Sequence, residues 1–94
     1  MVTALITHEV SDFDLWFELF KEHTDARSEN GSMGAEVYFG EDNRNEATVL
    51  LNWESRESLC KFMGSSELKT AMKEGGVLSP PKVTFLTHEE SFEK

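Results

Sequence analysis

Apolar residues recur along this chain with two periods, and the switches between them mark its elements. Residues 2–9, VTALITHE, are β-branched and apolar enough for a strand. From Phe13 the spacing changes to three and four: Phe13, Trp16, Phe17, Phe20, then His23 or Thr24. That spacing predicts one face of a helix running to about residue 28. Ser11 or Asp12 can cap it, Asp14 suits its positive N-terminus, and Asn30-Gly31 ends it. Ala35 to Phe39 reads as a short strand, Gly40 to Asn45 as a polar hairpin loop, and Ala47 to Trp53 as the strongest strand. Ser55 starts a second helix carrying Leu59, Phe62 and Met63, which Gly64 breaks. Ser65 or Ser66 starts a third with Leu68, Ala71 and Met72, stopped by Gly75-Gly76. Ser79-Pro80-Pro81 is an extended connection into a last strand, Lys82 to Thr87. His88 to Lys94 is a polar tail, expected to fray from about residue 89.

The predicted order is β-α-β-β-α-β with its second helical region split. This is an α+β, ferredoxin-like arrangement: an antiparallel sheet with helices on one face. Residues 1–94 are expected to form one domain. Val49, Leu51 and Trp53 share one parity of their strand and Leu50 takes the other; Val83 and Phe85 oppose Leu86 in the same way. A solvated second face would alternate to polar residues. Apolar residues at both parities predict that the second face meets another apolar surface, most economically the same face of a second copy.

Length and charge sharpen this picture. At 94 residues the core is thin, so a homodimer is a reasonable expectation. Cys60 is the single cysteine and reads as a reduced, buried thiol beside Leu59 and Phe62. A formal charge of −9 argues against nucleic acid and anionic membranes as partners. No apolar run approaches the ~20 residues of a membrane span. Residues 1–10 lack the pattern of a signal peptide, so a reducing cytoplasm is the expected location. His8, His23 and His88 share no short ligand spacing, so no metal site is expected.

Three stretches of single positions together resemble a known superfamily. They are Val10-Ser11-Asp12-Phe13-Asp14-Leu15-Trp16 with His23, Arg27 and Gly31; the strand end Leu51-Asn52-Trp53-Glu54; and Ser66-Glu67-Leu68-Lys69, Met72, Gly76-Val77 and Pro80-Pro81. The chain resembles the dimeric α/β-barrel superfamily over residues 2 to about 88. More closely, it resembles small stand-alone members related to antibiotic-biosynthesis monooxygenases and polyketide cyclases. The resemblance implies two ferredoxin-like protomers with facing sheets and a ligand cleft in each, between sheet and helices. It implies monooxygenation or cyclisation without metal or flavin, on an aromatic or polyketide-like compound. Some resembling proteins degrade haem and others only bind ligands, so a non-catalytic dimeric ligand-binding or stress-response protein is the alternative.

Candidate chemistry rests on few residues. His8 ends the first strand, where resembling cyclases use a histidine for acid–base work. Those cyclases also use a histidine just after the second helix, and Gly64 to Lys69 contains none. Haem-degrading relatives place a tryptophan on the third strand; Trp53 matches, but the asparagine and histidine that accompany it do not. Monooxygenase-like relatives bind a phenol-like substrate with Asn, Trp, Tyr and Arg side chains. Asn52, Tyr38, Trp16 and Arg27 are the equivalents by residue type, and Tyr38 and Asn52 share a parity that puts them on one face. Each has a plainer reading: Trp16 and Trp53 as core, Arg27 as a helix cap or ion pair with Asp25 or Glu29, His23 as a structural histidine. The expected catalytic pair is His8 and His23, with Tyr38, Asn52, Arg27, Trp16 and Trp53 contacting substrate.

Overall fold

A computed structural model describes residues 1–92; the last two residues of the polar tail lie outside the described part. The elements are β1 (Val2–Glu9), α1 (Phe13–Glu22), α2 (Thr24–Glu29), β2 (Ser32–Phe39), β3 (Glu46–Trp53), α3 (Arg56–Met63), α4 (Ser66–Glu74) and β4 (Lys82–Leu86). The four strands form one sheet in the order β2-β3-β1-β4, with every pairing antiparallel. This is the ferredoxin-like order. The central pair, β1 and β3, runs in register from Val2 opposite Trp53 to Glu9 opposite Glu46.

Strand alternation sets the two faces. Ala4, Ile6 and His8 of β1 and Ala47, Val49, Leu51 and Trp53 of β3 are buried beneath the helices. Leu5 and Leu50 pair on the opposite face and stay only half-buried. Tyr38 and Leu86 are exposed on the outer strands.

Three of the four helices, α1, α3 and α4, begin where a short polar side chain captures a free backbone N–H; α2 starts from His23 without such a cap. Asp12 accepts from Asp14 N (3.0 Å) and Leu15 N (3.3 Å), Ser55 from Ser58 N (3.2 Å), and Ser65 from Leu68 N (3.2 Å). Helix α1 buries Phe13 and Trp16, and α3 buries Leu59 and sets Phe62 5.1 Å from the Trp53 ring. Helix α4 buries no residue fully, though Leu68, Ala71 and Met72 face inward. Its exit is fixed by backbone pairing to the end of β1: Ser11 N to Gly76 O (2.9 Å) and Leu78 N to Glu9 O (2.8 Å).

Two boundaries differ from the sequence expectation. The second strand starts at Ser32 rather than Ala35, through an irregularity between Ser32 and Gly34 that keeps the extra residues paired with β3. The first helix does not run unbroken to residue 28; it divides at His23.

Candidate ligand pocket

The division at His23 builds one wall of the site. No glycine or proline lies there. Side chains instead take the carbonyls that a continuing helix would use. Arg27 Nη1 donates to Phe20 O (2.6 Å) and Thr24 Oγ1 to Lys21 O (2.7 Å). His23 Nδ1 lies 2.7 Å from Leu19 O. A carbonyl only accepts, so Nδ1 carries the proton and Nε2 is the basic position of the neutral ring. The turn at His23 lets α2 fold back towards the sheet and carries Arg27 inward, where it is buried.

Between this wall, the sheet and α4 lies a pocket of about 130 Å³. Ile6, Val49 and Leu51 form its sheet side, Trp16 and Phe20 one flank, and Phe62, Leu68 and Met72 the other. Its lining is almost wholly apolar; the polar side chains reaching it are His8, His23, Arg27 and Glu67. An apolar cavity of roughly 150 Å³ is enough to hold one benzene ring. The enclosed space is close in size to a single aromatic ring, and the rest of a larger compound would lie at the pocket's open side.

His8 occupies an unusual environment. It is 6% exposed, and its ring meets Trp16 edge to face at 5.4 Å. Among the described residues, Nδ1 is the one buried side-chain nitrogen or oxygen without a hydrogen-bond partner. Burial pushes the imidazole below its ordinary range near 6.5. The backbone of His8 and Ala47 opposes that shift only in part, and neither reaches hydrogen-bonding geometry with Nδ1. A neutral ring lines an otherwise apolar chamber, with Nδ1 sealed away from it.

Arg27 is 8% exposed and stacks on Phe20 with its central carbon 3.7 Å from the ring centroid. Nη2 donates to Thr24 Oγ1 (3.2 Å). Among the described residues no carboxylate pairs with it; the two ion pairs present are Lys21–Glu18 and Arg44–Asp14. The pairing with Asp25 or Glu29 envisaged from sequence is therefore not formed, while the capping role is. Burial lowers the Arg27 pKa from its usual value, because nothing nearby offsets the desolvated charge.

The structure thus brings together His8, His23, Arg27 and Trp16. It places Tyr38 and Asn52 elsewhere. They share a sheet face, as their parity suggested, but it is the face away from the helices: Asn52 Oδ1 accepts from Thr3 Oγ1 (2.9 Å), and Tyr38 pairs with Thr48 in the β2–β3 register. Trp53 is fully buried, with Nε1 donating to Asn30 O (3.0 Å), and is absent from the pocket lining. Cys60 is exposed rather than buried, on the outer side of α3. Sequence reasoning named Phe20, the ring that carries Arg27, only as part of the helical stripe, and Glu67 only within the Ser66-Glu67-Leu68-Lys69 stretch of the resemblance; neither was expected at the pocket.

The sheet order and the helices on one face define a ferredoxin-like α+β fold, the fold also found in solved antibiotic-biosynthesis monooxygenases. Three solved structures carry the likeness. A proposed antibiotic biosynthesis monooxygenase from Bordetella bronchiseptica superposes with a TM-score of 0.81 at 13% identity, over 95% of this chain and 97% of that one. SnoaB, a cofactor-independent oxygenase from Streptomyces nogalater, gives 0.78 at 9% identity, over 99% and 97%. A monooxygenase from Streptomyces coelicolor, in complex with the ligand nanaomycin D, gives 0.69 at 20% identity, over 99% and 91%. No protein-family model matches the sequence, and no curated protein matches it significantly. Among the described residues no helix is long and apolar enough to cross a membrane, and no cluster of His, Cys, Asp or Glu could hold a metal ion.

Proposed function

We propose that this chain binds a small aromatic molecule in the pocket and moves a proton on it through His8 and His23, without a cofactor. The observation that carries the reading is the chamber itself: apolar walls sized for a ring, with two imidazoles and one buried cation as its main polar groups. His23 presents Nε2 as the basic atom, and His8 is held neutral by burial. Either can take a proton from a phenol or an activated carbon. The resulting anion is the species that reacts with dioxygen in oxygenation or closes a ring in cyclisation. The likeness to a cofactor-independent oxygenase fits this chemistry. Trp16 serves as a wall of the pocket.

A second reading has its own support. Tyr38 and Asn52 face away from the pocket, so two of the hydrogen-bonding groups expected around a developing anion are missing from it. That favours a protein that binds its ligand without transforming it.

One experiment separates the two. Oxygen uptake is measured with a panel of phenols and cyclic 1,3-diketones, alongside their binding by NMR. Catalysis predicts uptake that falls about 100-fold or more in His8→Ala or His23→Ala while binding persists. Binding with no turnover across the panel establishes the second reading. Absence of binding, with His8 and His23 resonances unmoved, overturns both.

A further inference from the structure

We infer that the ligand is a single-ring aromatic acid, its carboxylate held by Arg27 and a ring hydroxyl accepted or donated by His8. This rests on the proposal that an aromatic molecule fills the pocket, and it names the chemical class.

Three observations converge. The first is size, since the enclosed space of about 130 Å³ is close to that of one ring. The second is Arg27. A guanidinium 8% exposed is a costly group, and buried cations are nearly always paired. Here its recorded partners are neutral oxygens, Phe20 O and Thr24 Oγ1, taking one donor from each of two nitrogens. A guanidinium offers five donors, so several are left for a ligand. The pocket also contains a neighbour that makes the site one-sided: Glu67, the only carboxylate in the lining, forms no ion pair with Arg27. An anionic ligand group would supply the missing countercharge in a place that water reaches poorly, where such a contact is strong.

The third observation is the aromatic row between the two polar ends. His8 meets Trp16 at 5.4 Å, Trp16 stacks near Phe20 at 5.2 Å, and Phe20 carries Arg27 at 3.7 Å. A ring in the chamber beside this row has the Arg27 guanidinium and the accessible nitrogen of His8 both among its neighbours. His8 Nδ1 is sealed from the chamber, so the ring nitrogen left open to a ligand hydroxyl is Nε2, which has no protein partner.

The test compares isosteres in the intact chain. 4-Hydroxybenzoate, 3-hydroxybenzoate, 4-hydroxybenzamide, benzoate and p-cresol are titrated by calorimetry and NMR. The expected result is that at least one hydroxybenzoate binds about tenfold or more tighter than both the neutral amide and p-cresol, the size of one charge-assisted contact. Benzoate should bind more weakly than that hydroxybenzoate, and the gap should close in His8→Leu. In Arg27→Gln the preference for acid over amide should fall to near unity, and Arg27→Lys should restore part of it. Arg27 also caps α1, so the wild-type acid-to-amide ratio stands as evidence even where that variant unfolds. Equal or tighter binding of the amide or p-cresol overturns the inference and leaves the aromatic pocket standing. Binding by none of the five overturns both.

Discussion

The His8 imidazole is wedged against Trp16 with Nδ1 sealed away and unpartnered. Leaving a buried polar atom unmatched costs about 1–3 kcal/mol. A residue kept for folding alone would not carry that cost. His8→Leu is therefore expected to keep or raise stability, lifting the melting temperature by roughly 5 °C, while ligand binding or turnover suffers. A drop of similar size on calorimetry would show that Nδ1 has a partner, such as a buried water. The pH dependence follows from the same burial. The folded-state pKa of His8 lies below 6.5, so the unfolded chain takes up the proton more readily. The stability held by neutral His8 is complete above 6.5 and drains away as the pH falls through the folded value. Denaturation curves between about pH 7.5 and 5.5 should show this loss in the wild type and a flatter profile in His8→Leu.

At the scale of elements, the pocket depends on two joints. One is the turn at His23, formed when side chains of Thr24 and Arg27 take the carbonyls of Lys21 and Phe20. The other is the exit of α4, where Gly76 adopts φ +75° against Ser11. A Cβ at Gly76 would run into Ser11 Oγ, and the backbone there suits glycine. Gly76→Ala should cost about 1–3 kcal/mol in urea denaturation; a loss below ~0.5 kcal/mol would show that this joint is loose. These joints also mark the limit of what the sequence disclosed. Helix starts at Asp12, Ser55 and Ser65 were legible, because a short polar residue before an apolar stripe has one local meaning. The faces of β3 and β4 were legible from alternation. The break at His23 was not, because it depends on which side chains reach which carbonyls, and no glycine or proline marks it. Parity put Tyr38 and Asn52 together, yet could not say which face of the sheet the helices would cover. The same limit put Asn52 among the expected pocket residues beside His8, and only His8 lines the pocket.

At the scale of the molecule, the helices cover one side of the sheet and leave the other bare. Leu5 and Leu50 sit side by side across β1 and β3, half-buried, flanked by Tyr38 on β2 and Leu86 on β4, 52% and 41% exposed. Around them lie Thr3, Thr7, Thr48 and Asn52, whose side chains pair with one another across the strands rather than with solvent-borne charges. Charges on this face stand on its outer strands and at its end, Glu36 opposite Leu50, Lys82 opposite Thr7 and the Glu9–Glu46 pair, while the central positions of β1 and β3 carry none. We propose that two copies bring these faces together, as the apolar strand parity already indicated. Isologous contact would place Leu50 near its own symmetry mate, so one substitution acts twice. Leu50→Lys should convert a dimer to a monomer in analytical ultracentrifugation at micromolar concentration. It should spare the chemical shifts of His8, His23 and Trp16, which lie on the other side of the sheet. A wild-type chain that sediments as a monomer throughout that range would sink the proposal. It would also leave Leu5, Leu50, Tyr38 and Leu86 as an apolar surface without a partner, which monomeric proteins rarely sustain at this breadth.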